Sequence, residues 1–466
     1  MEANKHEASA SSADQRLGTA PLTPLIFKLA LPTALAQLVN MLYNIVDRIY
    51  VGHIPETGSL ALAGLGVTYP IIVLITAFSN LIGMGGAPRA SVAMGRGDYK
   101  TAEKILGNCI TLLIALSVAL SVVFTIFGEP VLRAFGASEN TLPYAMAYLR
   151  IYLMGTIFVQ FTLGMTPFIT NQGFAMTSMA TTCIGAVSNI ILDPIFIYGF
   201  NMGVEGAAIA TILSQALSAV WVLIFFTGKR NILRIRKQNL FPSAKTLALV
   251  LSLGVSPFLM TATECVIQLA FNTGAATYGG DSAVAIMSIL FSVAQIANLP
   301  VQGFCQGAQP VVGFNFGARK LERVRQAFKI MLAVSMGVTT VVVGAVEIVP
   351  QLFLGLFSSD AALIALGTGP LRVYMLGYFF MGAQLACQQT FLGLGEAKIS
   401  MFIALLRKVI LLLPLSIVIP QVFGALGLSQ LVGLYVAEPV SDIISASTCT
   451  ILFFAIEWKK LKPAAA

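Results

Sequence analysis

Charge is what this sequence has least of. Of 466 residues only 10% are Asp, Glu, Lys or Arg, against 57% apolar, whereas a typical soluble domain is about one-quarter charged. A water-exposed fold of this length would lack the polar side chains to cover its surface, so a soluble enzyme or binding domain is excluded. Histidine is scarcer still. His6 and His53 are the only two, which leaves no pair for a metal-hydrolase motif. No GxxxxGK[ST] phosphate loop occurs, so the chain does not drive anything with ATP by that route. The six cysteines, Cys109, Cys183, Cys265, Cys305, Cys387 and Cys449, stand singly inside apolar stretches. They read as small buried apolar residues and supply neither a disulfide framework nor a zinc site. No paired acidic run for magnesium pyrophosphate is present, and an enzyme is not expected.

What is there is long apolar runs. Twelve are long enough to cross a bilayer, near 22–51, 60–88, 102–127, 142–168, 173–199, 205–227, 245–273, 281–310, 324–352, 363–390, 396–420 and 426–456. The expected fold class is an all-α integral membrane protein. The net charge of +8 lies in short basic runs between these segments, with no stripe suited to nucleic acid. Lys5, Arg16 and Lys28 precede the first helix; Arg89, Arg96, Lys100 and Lys104 lie between the second and third. Lys229, Arg230, Arg234, Arg236 and Lys237 lie between the sixth and seventh. Arg319, Lys320, Arg323 and Arg325 lie between the eighth and ninth, and Lys459, Lys460 and Lys462 close the chain. The alternate connections carry almost no Lys or Arg, with Arg133 the exception. The positive-inside rule then puts both ends in the cytoplasm. Residues 1–20 read as a disordered cytoplasmic leader, because they lack the apolar core of a signal peptide.

The chain repeats itself at an offset of about 222 residues. Leu149–Gly155 (LRIYLMG) recurs as Leu371–Gly377 (LRVYMLG), and Gly85–Gly97 resembles Gln306–Ala318. Pro194 has a counterpart in Pro414. A repeat of six helices is even, so both copies cross in the same sense, a parallel repeat about an axis along the membrane normal. The expected organisation is a six-helix bundle over 21–227, a polar basic linker over 228–243, a second bundle over 244–458 and a cytoplasmic tail over 459–466.

Intramembrane polar residues are costly and therefore informative. Counting helical rise, Asp47 lies roughly 35 Å up the first helix, Asp193 roughly 30 Å up the fifth, and Thr211 roughly 9 Å below the outer end of the sixth. Asn189 precedes Asp193 by one turn. Four polar groups at one depth suggest a coupling-cation site, for a proton or for sodium at Asp47 and Asp193. Taken alone, Asp47 could be a solvated helix-end residue beside Arg48. Gln37, Asn40, Asn44 and Asp47 form one stripe on the first helix, and Pro194 is expected to bend the fifth.

The second half is not a charge-for-charge copy. Aligning Pro32 with Pro257 sets Asn272 opposite Asp47, and the seventh helix instead carries Glu264 on a stripe with Gln268 and Asn272. Gln295 on the eighth helix, Gln384 and Gln388 on the tenth, and Tyr152 in the repeated string complete a set that could line a substrate cavity. The amides could also merely hold helices together. Arg407 and Lys408 lie roughly 17 Å into the eleventh helix, and Glu438 roughly 18 Å down the twelfth. Their depths allow a midplane ion pair, structural or gating, which Asp442 could join.

At Leu31–Gly52 (LPTALAQLVNMLYNIVDRIYVG), Ser188–Thr211 (SNIILDPIFIYGFNMGVEGAAIAT) and Gln306–Ala318 (QGAQPVVGFNFGA) the chain resembles the multidrug and toxic compound extrusion (MATE) family, in its DNA-damage-inducible-protein-like branch. The resemblance runs from about Leu22 to Trp458. It implies twelve helices in two pseudo-symmetric bundles, alternating access, and export of amphipathic, often cationic, drugs or metabolites by antiport against protons or sodium, without a cofactor. It also implies a bacterial plasma-membrane protein, functional as a monomer, and a cation site at Asp47, Asn189, Asp193 and Thr211. Glu264 matches an acidic position of the sodium-coupled branch, but Tyr378–Gln384 lacks that branch's second acid. A flippase for a lipid-linked saccharide is the alternative, with Arg407 and Lys408 as its only cationic support.

Overall fold

A computed structural model describes residues 16–228, 231–358 and 360–461. Lys5, His6, Lys229, Arg230 and Lys462, with most of the expected leader and tail, lie outside the described residues. No strand occurs among the described residues, as lipid demands: without water, each backbone amide must be satisfied within its own segment.

The first half consists of α1 (Leu22–Gly52), α2 (Gly58–Gly95), α3 (Tyr99–Ala134), α4, α5 (Ala175–Gly199) and α6 (Gly203–Thr227). Helix α4 is two pieces, Leu142–Met154 and Thr156–Asn171, bent by 61°. The bend falls at Gly155, where a Cβ would sit 2.4 Å from Ile212 of α6. The second half begins with an unbroken helical run of 74 residues, Ala244–Gly317. Its contour is about 110 Å, several times the ~30 Å hydrocarbon core, so it cannot be one span. It folds back at Gly280, whose φ of 66° and ψ of −160° suit glycine alone, giving α7 (244–279) and α8 (281–317). Then follow α9 (Leu321–Ile348), α10 (Ala361–Leu394), α11 (Ala397–Ala425) and α12 (Gln430–Lys460). Each of the twelve apolar runs overlaps one of these segments.

The internal repeat is visible in packing. Helix α3 lies against α4 as α9 lies against α10, and α5 against α6 as α11 against α12. Proline leaves the same signature in both copies. After Pro194 the backbone widens into a π-helical turn, Ile195–Gly199, and before Pro414 it does so over Leu406–Leu412.

The halves meet where small residues let backbones touch. Gly254 of α7 sits on the Leu81 carbonyl of α2, and Gly85 on that of Val250. Gly317 of α8 sits on Val92, Gly95 on Phe314, and Gly303 and Gly307 on Ala34 and Ala30 of α1. This seam occupies the end of the molecule that carries Arg96, Lys100, Arg319, Lys320 and Arg323. Within the expected leader, the part nearest α1 is not free: Leu17 is buried. Its carbonyl accepts from Asn315 Nδ2 at 2.9 Å, and Arg323 Nη2 donates to the Ala20 carbonyl at 2.8 Å. A buried leucine and paired carbonyls outweigh the chain entropy that a polar sequence suggests. The linker is fastened to the first half. Gln172 Oε1 accepts from the amides of Ile232 and Leu233, and Asn108 Nδ2 donates to the carbonyls of Asn239 and Phe241.

Candidate functional site

Away from the seam the halves part around a cavity of about 520 Å³ lined by both. Thr261, which lines it, accepts from Asn80 Nδ2 of α2 at 3.1 Å, whereas the expected lining residue Gln37 lies outside the lining and ties α1 to α8, its Nε2 donating to Gln306 Oε1 at 3.1 Å.

On the first-half wall, helical spacing points Asn40, Tyr43, Asn44 and Asp47 of α1 into the cavity. Thr211 of α6 and Tyr152 of α4 line the same wall. Behind Asp47 lies Asp193 of α5, fully buried, with Asn189 Nδ2 donating to its Oδ1 at 3.0 Å. The two carboxyl groups lie within electrostatic reach of one another. Yet Asp47 Oδ1 and Asp193 Oδ2 are both buried without a donor. Two facing carboxylates with orphaned oxygens need a proton between them or a cation upon them. Tyrosines enclose the pair. Tyr148 stacks on Tyr152 with ring centroids 6.0 Å apart, and Arg48, which also lines the cavity, lies over the Tyr69 ring at 5.2 Å.

The second-half wall carries ions in another arrangement. Glu264, Gln268, Gln295, Arg407, Lys408, Glu438 and Asp442 line it. Arg407 Nε donates to Asp442 Oδ1 at 2.7 Å and Nη2 to Glu438 Oε1 at 3.3 Å. Lys408 Nζ donates to Glu264 Oε2 at 2.9 Å. Consecutive residues 407 and 408 lie in the π-helical turn Leu406–Leu412 of α11, and both long side chains reach the cavity. The midplane ion pair is therefore a five-residue network, and Glu264 is tied into it.

Several expected lining residues lie elsewhere. Gln388 is buried among Ser256 and Ser400, donating to both hydroxyls at 2.9 and 2.8 Å, so it holds α7, α10 and α11 together. Gln384 is buried against α12, where the Cys449 thiol approaches its carbonyl, and its own Oε1 has no donor. Asn272 lies on α7 beyond the cavity lining, its Oδ1 likewise without a donor. The aromatic wall of Tyr43, Tyr69, Tyr148, Tyr374 and Tyr378 was not anticipated. Tyr43 could have been found on the Asn40–Asp47 stripe, Tyr148 one turn before Tyr152, and Tyr374 as the counterpart of Tyr152 in the repeated string; Tyr69 carries no local signal.

A family model, MatE, matches the chain twice, over residues 32–195 and 257–418. The matches begin 225 residues apart, close to the internal offset. Among curated proteins, the multidrug export protein MepA of Staphylococcus saprophyticus is 27% identical over 428 residues, covering 92% of each chain. MepA of Staphylococcus aureus (strain NCTC 8325) is 26% identical over 408 residues, 87% of this chain and 89% of its own. Among solved structures, the outward-facing conformation of a multidrug resistance MATE family transporter superposes with a TM-score of 0.88 at 22% identity, over 97% of this chain and 99% of that one. A MATE structure in the bent conformation gives 0.88 at 22% identity, over 96% and 98%. These likenesses fix a fold of twelve membrane helices and a transporter rather than an enzyme. Matched twice, over more than half its length, the chain belongs to the MatE family.

Proposed function

We propose that the protein is a secondary active exporter of amphipathic, cationic small molecules, coupled to inward flow of a proton or sodium ion by alternating access of its two bundles. The observation that carries the reading is the facing pair Asp47 and Asp193, with two oxygens lacking a donor, at the wall of a cavity lined from both halves. A proton would satisfy one orphaned oxygen; a sodium ion would use both, as hard oxygen ligands suit hard cations.

Asp47 faces the cavity and Asp193 supports it from behind. A substrate cation and the coupling ion then draw on the same negative charge, so entry of one favours exit of the other. Tyr43, Tyr148 and Tyr152 offer ring faces to an organic cation. Bending of α1 and repacking of α5 at its π-helical turn would carry the ion's arrival to the seam. The basic end is read as cytoplasmic, which places both termini there and opens the cavity outward. The bundles are read as 21–227 and 244–458, working within one chain in a bacterial plasma membrane. Arg407 and Lys408, the cationic support for a lipid-pyrophosphate reading, are each bonded to carboxylates, which does not favour that alternative.

The test is dye efflux from proteoliposomes under an imposed pH or sodium gradient. Wild-type protein is expected to move a fluorescent cation under one gradient, and Asp193→Asn to abolish that movement at unchanged expression. Gradient-driven efflux at the wild-type rate from Asp193→Asn would refute the coupling site.

A further inference from the structure

The second-half network holds three carboxylates, Glu264, Glu438 and Asp442, but two cations, Arg407 and Lys408. Arg407 spans Asp442 and Glu438 Oε1, and its main-chain carbonyl is held by Ser441 Oγ at 2.9 Å, so it is fixed. Lys408 is attached at one point, Glu264 Oε2. Its flexible four-carbon stem allows the ammonium to swing. Glu438 Oε2 is buried and has no donor, although the side chain is only 10% exposed and lines the cavity. Lys408 lies within electrostatic reach of it. Glu264 is the open member, its side chain 43% exposed, towards the cavity that it lines.

One carboxylate oxygen too many, buried beside a movable ammonium, is a costly arrangement unless it is used. We propose that Lys408 is a tethered counter-cation: a cationic group of the substrate docks on Glu264 by displacing the lysine ammonium onto Glu438 Oε2. With the ligand absent, Lys408 neutralises Glu264 and keeps small ions off it. With a monocationic group bound, three carboxylates face three cations and the orphaned oxygen gains its donor. Lys408 thus sets the threshold for entry, and only a cation that also gains contact with the aromatic wall outcompetes it. The ligand class is an amine or quaternary ammonium carried on an apolar body. The inference rests on the export reading above but concerns the opposite wall from Asp47 and Asp193.

The test is equilibrium binding of rhodamine 6G to the purified full-length chain, read by fluorescence anisotropy, for wild type, Glu438→Gln, Lys408→Met and the double variant. Displacement predicts that Glu438→Gln weakens binding about tenfold in the wild-type background, the cost of one charge-assisted hydrogen bond left unmade. Lys408→Met should tighten binding, and in its background Glu438→Gln should matter by less than about threefold, because no displaced ammonium needs a new partner. An equal effect of Glu438→Gln in both backgrounds overturns the exchange and leaves only a diffuse field. Should Glu438→Gln fail to fold, Lys408→Met decides alone: tighter binding supports displacement and unchanged affinity refutes it. Absence of rhodamine 6G binding by wild type would overturn the export reading itself, a result distinct from binding without coupling between residues 408 and 438.

Discussion

Replacing Gly254 by alanine adds one methyl group to a helix, and at this seam it has nowhere to go. A Cβ there would lie 1.7 Å from the Leu81 carbonyl oxygen and 2.6 Å from its carbon. Ordinary contact begins near 3.4 Å, so the two backbones must separate by about half that distance. The obstacle is main chain within α2, and no rotamer change relieves it. The reciprocal position leaves no slack either, since Gly85 already rests on Val250 and Gly254. Overpacking of this kind costs about 1–3 kcal/mol. Neither bundle's own core is touched, so the strain is relieved by parting the halves at the basic end. A 3 kcal/mol bias shifts a two-state equilibrium roughly a hundredfold. The assay is double electron–electron resonance between spin labels at Lys100→Cys and Glu322→Cys, exposed sites on opposite sides of the seam, with the six native cysteines replaced. Gly254→Ala should transfer most of the population to a longer distance and slow transport. An unchanged distance distribution in a protein of normal thermal stability would refute the assignment of this crossing as the closed gate.

Arg407→Met would leave Glu438 and Asp442 buried without their shared cation, and thermal unfolding in detergent should register a loss of about 3–5 kcal/mol. Gln388→Leu removes the amide that joins Ser256 to Ser400; a loss of about 1–2 kcal/mol is expected, with the affinity for cationic dyes unchanged because the residue does not line the cavity. Asp98 caps α3 by accepting the Thr101 amide at 3.0 Å, and hydrogen bonds from the Thr101 side chain and backbone hold its carboxyl below the usual carboxylate value. Asp98→Ala should cost about 1 kcal/mol at neutral pH. A depressed value makes this contribution complete above the unfolded pKa near 4 and lost as pH falls through the folded one, so wild type and variant should converge in acid.

What the sequence revealed about this protein follows from which forces are local. Spans are local: twenty apolar residues find lipid wherever they occur, and so the twelve runs matched twelve segments. The 222-residue offset was equally plain, because a string such as LRIYLMG carries an arginine and a tyrosine that composition alone would not align. Depth was legible for Asp47, Asn189, Asp193 and Thr211, since helical rise converts sequence position to height. Azimuth was not. Gln388 and Gln268 look alike as polar residues in apolar helices, yet one is sealed among serines and the other faces the cavity. The rotation of each helix is set by partners hundreds of residues away, as when Ser256 and Ser400 claim Gln388. Pairing among charges was hidden for the same reason. Arg407 and Lys408 are neighbours that diverge around the helix by about 100°, yet both long side chains reach one cavity, within the π-helical turn before Pro414. From that turn Lys408 meets Glu264 of α7 while Arg407 meets α12. The helical turn beside Pro414, known from the sequence only as the counterpart of Pro194, thus bears on which carboxylate keeps a free oxygen, and the chemistry of the second-half wall depends on that choice.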